Sequence, residues 1–492
     1  MLGALTRPSN PDELSSWITS TLAREGPEAL LLCLDNLLYG GLVNSRRSND
    51  TLQQVLSRAT GLKTWKQAAG SSVQVLAQAS VMRISDNYDA TEEKPYWARY
   101  GRELFEWSTL LHRLEKGEKL VLGQLGNLEH KIPAEIRNDY LQTRQRNYRV
   151  SRKLLEDYVK PGLLDLLSLS MDDSGAAGLN LLERERLMAL ATDLGVLDSV
   201  LSYPGADEVL LALLARAFVR KAGARPRARL IYSPEETASC QSRYEGQTIG
   251  QTTTAQLAAC GIETDGKQPV DFEVIIHGRP GTQGDHINLP GQPDLRNLDT
   301  ARSVRQTLEH LNRANQPCIL CDVAYANGAD PALIEALLES PHLASRVWAY
   351  AGWNTTGNTI GSALATGVAA WFSAVNSRAN ASGSAGGSPA FHSRGTGENA
   401  AAGGSTRPAT MLSQHSKDTI MALKSCLFVR LADDWAYQSV VRKTLNGPCE
   451  PAVLKLKLAP YLKRISDWLN FEPASLEVSQ PWHRTFEIEI AL

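Results

Sequence analysis

Net charge is almost absent from this 492-residue chain: 51 Lys and Arg stand against 53 Asp and Glu, leaving −2 at neutral pH. Surfaces that hold nucleic acid or anionic lipid carry a basic excess, so neither partner is expected. Cysteine is sparse and odd in number, with seven thiols spread from Cys33 to Cys449. That excludes a disulfide framework and fits a reducing compartment. The first residues, MLGALTRPSNPDEL, lack the basic and apolar regions of a secretory leader, and a cytoplasmic location is expected. Long apolar runs are missing too. The stretch from Gly352 to Ser377 has no charge, but its Gly, Ala, Ser, Thr and Asn content suits a buried helix of a soluble protein better than a lipid span. Three motifs are also lacking: a G-x-G-x-x-G after the first strand, a Gly-Lys-Ser/Thr phosphate loop and a G-x-S-x-G elbow. Nucleotide binding is therefore only weakly supported, and serine hydrolysis has no support.

What is present is an alternation. Apolar, β-branched runs at Ala29 to Asp35, Val73 to Ile84, Leu163 to Met171, Leu197 to Tyr203, Ala228 to Ser233, Phe272 to His277, Cys318 to Val323 and Arg346 to Ala351 read as strands. Between them lie helical patterns such as Asp12 to Arg24, Ala206 to Lys221, Ser303 to Asn315 and Pro331 to Leu338. Continuous apolar strands separated by helices predict an α/β fold whose parallel sheet is covered on both faces. Eight alternations suit a (β/α)8-barrel-like closure, and an open doubly wound sheet explains the same pattern. The expected organisation is an α/β core over residues 1–375 with a charged, aromatic helical insertion at 95–158. A Gly/Ser/Ala-rich flexible linker or loop follows at 376–408. A C-terminal segment at 409–492 holds helices at Ala409 to Asn446 and Pro451 to Leu469 and a closing strand at Thr485 to Ile490.

In parallel α/β folds ligands gather at the carboxyl ends of strands, where loops and helix N-termini converge. Those ends carry acidic, amide and aromatic groups here. Asp35 and Tyr39 follow the first strand, Asp86 the second, Asp172 and Asp173 the third, and Asp207 and Glu208 the fourth. Asp322, Tyr325 and Asn327 follow the seventh, and Trp353, Asn354 and Asn358 the eighth. Adjacent carboxylates such as Asp172 and Asp173 divide their protonation, one donating while the other stays ionised, which acid/base hydrolysis requires. On some barrels such a pair polarises a substrate's acetamido group in substrate-assisted glycoside hydrolysis. The bland alternative has both residues binding backbone amides, and for Asp207 and Glu208 helix capping is the simpler role.

No metal site is assigned, and the alternative is a divalent ion held by His277, Asp285 and His286, which lie in one loop region. Cys318 and Cys321 have CxxC spacing, but on a strand they point to opposite faces and read as core thiols.

Several unusual phrases together carry a resemblance. They are LDNLLYGGLVNSR (34–46), MRISDNYDATEEKPYWARYG (82–101), MDDSGAAG (171–178), YPGADE (203–208), RPGT (279–282), DVAYANGAD (322–330), AYAGWNTTGNTIG (349–361), DDWAYQ (433–438) and RTFEIEI (484–490). With them the chain resembles an uncharacterised bacterial family, number 4127 in the domain-of-unknown-function series, over nearly its whole length outside the glycine-serine stretch. The resemblance implies no substrate. Relatives begin with a further strand ending in an Asp-x-Arg-Pro type motif that this chain lacks, which implies a site short of one acidic and one basic group.

The expectation from sequence is thus a hydrolase of small carbohydrate-like molecules, with Asp172 and Asp173 as the acid/base pair, no cofactor, and the remaining strand-end residues as binding groups. The alternatives are a metal-dependent hydrolase and a non-catalytic protein that binds a small ligand or a partner. Sequence leaves the oligomeric state open.

Overall fold

The computed structural model describes residues 2–172, 175–264, 269–287, 293–383 (backbone alone from 378) and 415–492. The eight expected strands form, each within a few residues of its reading: β1 (Ala29–Cys33), β2 (Gln74–Val81), β3 (Leu166–Met171), β4 (Val200–Leu201), β5 (Ala228–Ser233), β6 (Phe272–His277), β8 (Cys318–Asp322) and β10 (Val347–Ala351). Short strands β7 (Gly284–Asp285) and β9 (Tyr325–Ala326) pair with each other in the loops, and β11 (Glu477–Ser479) pairs antiparallel with β12 (Glu489–Ala491). The long strands are hydrogen-bonded as two parallel sheets of four, β1-β2-β3-β4 and β10-β8-β6-β5. The chain divides correspondingly into two units, Met1–Ala217 with Ser242–Gln247, and Phe218–Gln241 with Thr248–Leu492.

In the first unit the period of two along a strand explains which side chains meet. Val75, Ala77, Ala79 and Val81 of β2 join Leu167, Leu169 and Met171 of β3 in a core closed by Leu14, Ile18, Val55, Leu62 and Trp65. Leu76 and Leu166 face the other way, onto Leu213. The insertion forms helices Trp97–Glu115, Leu122–Lys131 and Ala134–Leu154. It has its own core of Trp97, Leu104, Trp107, Leu125 and Tyr140, which takes in Met82 and Ile84 from beyond β2. Arg144, buried, is held by Glu183 at 2.6 Å and donates to the carbonyls of Met82 (2.9 Å) and Arg83 (3.2 Å). The insertion is therefore fastened to the carboxyl end of β2 rather than standing as a solvated hairpin.

In the second unit every residue of β6, β8 and β10 is buried, as expected of strands covered on both faces. The uncharged stretch forms the long helix Thr356–Gly383, which runs into the first residues of the expected 376–408 linker; the rest of that segment from residue 384 lies outside the described residues. Its small residues let it lie close on the sheet, since a Cβ at Gly367 would stand 2.0 Å from Cδ1 of Ile319 on β8. Among the described residues no helix is long and apolar enough to cross a membrane. Cys318 and Cys321 are buried, and burial pushes the Cys318 thiol up to about 12, so both are unreactive core thiols.

Candidate functional site

The strand-end residues fall into two groups, one in each unit. In the second unit the sheet register does the assembling: Ser233 pairs with His277, and His277 with Asp322, placing the last residues of β5, β6 and β8 side by side. Parallel neighbours in register project to the same face. All three are fully buried, which forces their polar atoms to satisfy one another.

They do so through a chain of hydrogen bonds. Thr307, on helix Ala301–Arg313, donates its hydroxyl proton to Ser233 Oγ (2.9 Å) and lies 2.8 Å from His277 Nδ1. With the threonine proton directed to Ser233, its oxygen accepts from Nδ1–H. His277 Nε2 lies 3.0 Å from Oδ2 of Asp330, an arrangement that favours the protonated ring. Burial alone would lower the His277 pKa, but the hydrogen bond to Asp330 and the charges of Asp322 and Asp330 raise it. Asp330 also caps helix Pro331–Leu338, accepting from Ala332 N–H at 3.0 Å. Burial works against its ionised form, yet the bond from His277 and that histidine's charge hold Asp330 below the ordinary aspartate value.

Asp322 has the opposite environment. Burial pushes its carboxyl up to about 7, the charge of Asp330 adds to that, and His277 opposes it. Its Oδ2 accepts from Asp330 N–H at 2.7 Å and from the Tyr350 hydroxyl at 3.2 Å. Beyond Tyr350, the first residue after β10, Gly352, donates its N–H to Asp434 Oδ2 at 2.7 Å. Asp434, buried in the helical DDWAYQ segment, is likewise raised to about 7 by burial against the pull of Arg430, its ion-pair partner. Two carboxylates of this edge, Asp322 and Asp330, are thus driven apart in proton affinity around one imidazole, the condition for an acid and a base at neutral pH.

The loops above hold the amide and aromatic groups. Asn327 (φ 61°) and Asn354 (φ 67°) adopt left-handed backbone, tied by Asn327 N–H to the Asn354 carbonyl at 2.9 Å. Such strain in non-glycine residues concentrates at functional sites. Trp353 packs on Phe486 with ring centroids 5.8 Å apart, and Asn358 sits buried in the first turn of helix Thr356–Gly383. Tyr325 is turned inward, its hydroxyl bonded to the Leu298 carbonyl at 2.9 Å and its ring stacked on His286 at 4.7 Å.

The alternative metal set is not assembled. His277 uses both ring nitrogens as described, Asp285 Oδ1 accepts from Ile287 N–H and Asn327 Nδ2, and His286 Nε2 lies 2.8 Å from the Ala329 carbonyl. Burial together with the charges of Lys443 and Arg442 lowers the His286 pKa to about 3, so that imidazole is neutral. Among the described residues no cluster of three or more His, Cys, Asp or Glu side chains could hold an ion.

In the first unit Asp35 turns back onto β2, accepting from Ser80 Oγ at 2.7 Å and Ser80 N–H at 3.2 Å; Ser80 meets its register partner Ser170 at 3.2 Å. Burial raises the Asp35 pKa against these bonds and the charge of Arg46. Asp172 is engaged by Arg46 (3.3 Å) and Arg83 (3.4 Å), and the same guanidiniums reach Glu92 and Glu93. Asp173, the expected partner of Asp172, lies outside the described residues. Tyr39 belongs to the hydrophobic core, with Arg146 over its ring. Asp86 and Asp207 are exposed, while buried Glu208 accepts from Ala206 N–H at 3.1 Å just before helix Val209–Ala222, a local structural role.

Of the residues singled out from sequence, Asp322, Asn327, Trp353 and Asn354, with His277 from the alternative metal set, lie at this edge. Ser233, Thr307, Asp330, Tyr350 and Asp434, which bond to them or stand beside them, were not singled out. Asp330 stood in the quoted DVAYANGAD phrase just before a helix beginning with proline, a capping position that could have exposed it. Thr307 lies inside a helix with no local mark of its own.

These features define an α/β protein of parallel sheets with buried titratable groups at strand carboxyl ends. The chain belongs to the family of proteins of unknown function DUF4127, whose model matches residues 1–491. No curated protein and no solved structure gives a match.

Proposed function

We propose that this chain is an acid/base hydrolase of small polyhydroxylated, carbohydrate-like molecules, with Asp322, Asp330 and His277 as its proton-handling groups. One observation carries the reading: Asp322 and Asp330, joined by the Asp330 N–H, with His277 bonded to Asp330, have their proton affinities driven in opposite directions. Asp322 supplies the proton and Asp330 stays ionised, held by His277, which Thr307 and Ser233 orient in turn. Asn327, Asn354 and Trp353 are the hydroxyl-binding and stacking groups. Asp322 is fully buried, so in this reading the loops around it must move to admit substrate. Asp172, expected from sequence as half of the acid/base pair, is paired with Arg46 and Arg83 and is not one of the proton-handling groups of this reading.

The test is hydrolysis of a panel of aryl glycosides and N-acetylated oligosaccharides. Asp322→Asn should lower kcat by about 100-fold or more on any substrate turned over. A variant as fast as the parent overturns the assignment.

The same burial favours a second reading, in which the network is structural and the loops bind a ligand without altering it. Calorimetric binding of an oligosaccharide recovered intact, equal in the parent and Asp322→Asn, would establish it.

A further inference from the structure

Beside the strand-end loops lie two cations, Arg442 and Lys443, that make no ion pair among the described residues. Arg442 is held from two sides: its Nη2 donates to the carbonyl of Asn327 at 3.3 Å, and its guanidinium lies over the Phe486 ring at 5.8 Å. Its Nη1 is buried and has no hydrogen-bond partner among the described residues. Lys443 follows in the chain and is exposed. Among the described residues neither makes an ion pair, although neighbouring cations do: Arg296 is paired with Asp294, and Arg484 with Glu487.

A desolvated guanidinium with an unmade hydrogen bond is costly, and folded proteins pair such groups. The electrostatics agree. Burial lowers the Arg442 pKa despite the fields of Tyr437, Asp285, Asp433 and Glu487, and for Lys443 burial and repulsion from Arg442 and Arg296 outweigh Asp294. The carbonyl that Arg442 grips belongs to Asn327, three residues before Asp330, so this positive spot borders the proton-handling groups.

We infer that Arg442 Nη1 and Lys443 Nζ form an anion-binding subsite that takes a carboxylate or phosphate group of the ligand. As a statement of substrate class, an acidic rather than a neutral sugar derivative, it rests on the hydrolytic reading above; as a binding site it does not. Arg442 is the orienting group, because its plane is fixed by Asn327 and Phe486 and it presents its remaining N–H bonds in one direction. Lys443 supplies a mobile second charge.

The experiment is calorimetric titration and thermal denaturation of the full chain with glucuronate, glucose and inorganic phosphate, on the parent, Arg442→Gln, Lys443→Gln and Asp322→Asn. Glucuronate should bind and raise Tm where glucose does not, with affinity falling as salt rises. Phosphate binding more tightly than glucuronate would support the subsite and identify a phosphorylated ligand. Each cation variant should weaken anion binding by about tenfold or more. Lys443→Gln, at an exposed side chain, keeps the test decisive if Arg442→Gln does not fold. Its Tm without anion should equal or exceed that of the parent, because a repulsion is removed. Absence of binding by both anions, or binding unchanged in both cation variants, overturns the inference. Asp322→Asn that binds anion like the parent, in a protein that hydrolyses nothing, leaves the subsite standing and removes the hydrolytic reading instead.

Discussion

Asparagine at position 322 isolates the effect of a single buried proton. The Asp322 carboxyl, moved by burial from 3.8 to about 7, binds its proton more tightly in the folded than in the unfolded chain. Its contribution to stability is therefore complete below the unfolded pKa and is lost as pH rises through the folded one, about 4 kcal/mol in all. Asparagine keeps the shape but not the titration. It also presents an NH2 group where the carboxylate accepts from Asp330 N–H, Ala324 N–H and the Tyr350 hydroxyl. That mismatch costs about 1 to 3 kcal/mol at every pH. Urea denaturation of both proteins at several pH values should show the parent ahead at about pH 5 and the gap closing by about 3 kcal/mol towards about pH 8. Two stability curves that run parallel over this range would refute the claim that Asp322 holds a proton by burial.

Three further outcomes can be checked. Ring-nitrogen NMR should find His277 titrating above the ordinary histidine value, while His286, lowered to about 3 by burial and its cationic neighbours, stays neutral through mild acid. Gly352→Ala places a Cβ 2.4 Å from the Tyr350 hydroxyl and 3.2 Å from Ala329 Cα. It should cost about 1 to 3 kcal/mol, read as a lower urea midpoint at unchanged slope, with the Tyr350 to Asp322 bond lost. Arg46→Ala leaves Arg83 alone against Asp172, Glu92 and Glu93 and should destabilise the first unit by about 3 to 5 kcal/mol in chemical denaturation, whereas Asp86→Ala at an exposed position should change nothing measurable.

The strands were legible because covered parallel strands are written as continuous apolar runs; all eight appear close to their expected limits, and helix Pro331–Leu338 matches its reading in full. Their partition into two sheets was not, because hydrogen-bonded neighbours are set by packing among residues far apart in the chain. The site shows the same divide. His277 and Asp322 stood out as polar residues ending apolar strands, and their adjacency follows from register. Thr307 looks like any helical threonine until the helix is laid against β5 and β6. Asp172 drew attention through its neighbour Asp173, yet its partners are arginines 126 and 89 positions away.

The alignment of Ser233, His277 and Asp322 has an evolutionary consequence. Because side chains alternate strictly along a strand, inserting or deleting one residue within β5, β6 or β8 would swing its terminal group to the opposite face and sever the relay at that link. Length changes within these three strands should therefore be purged in descendants of this chain.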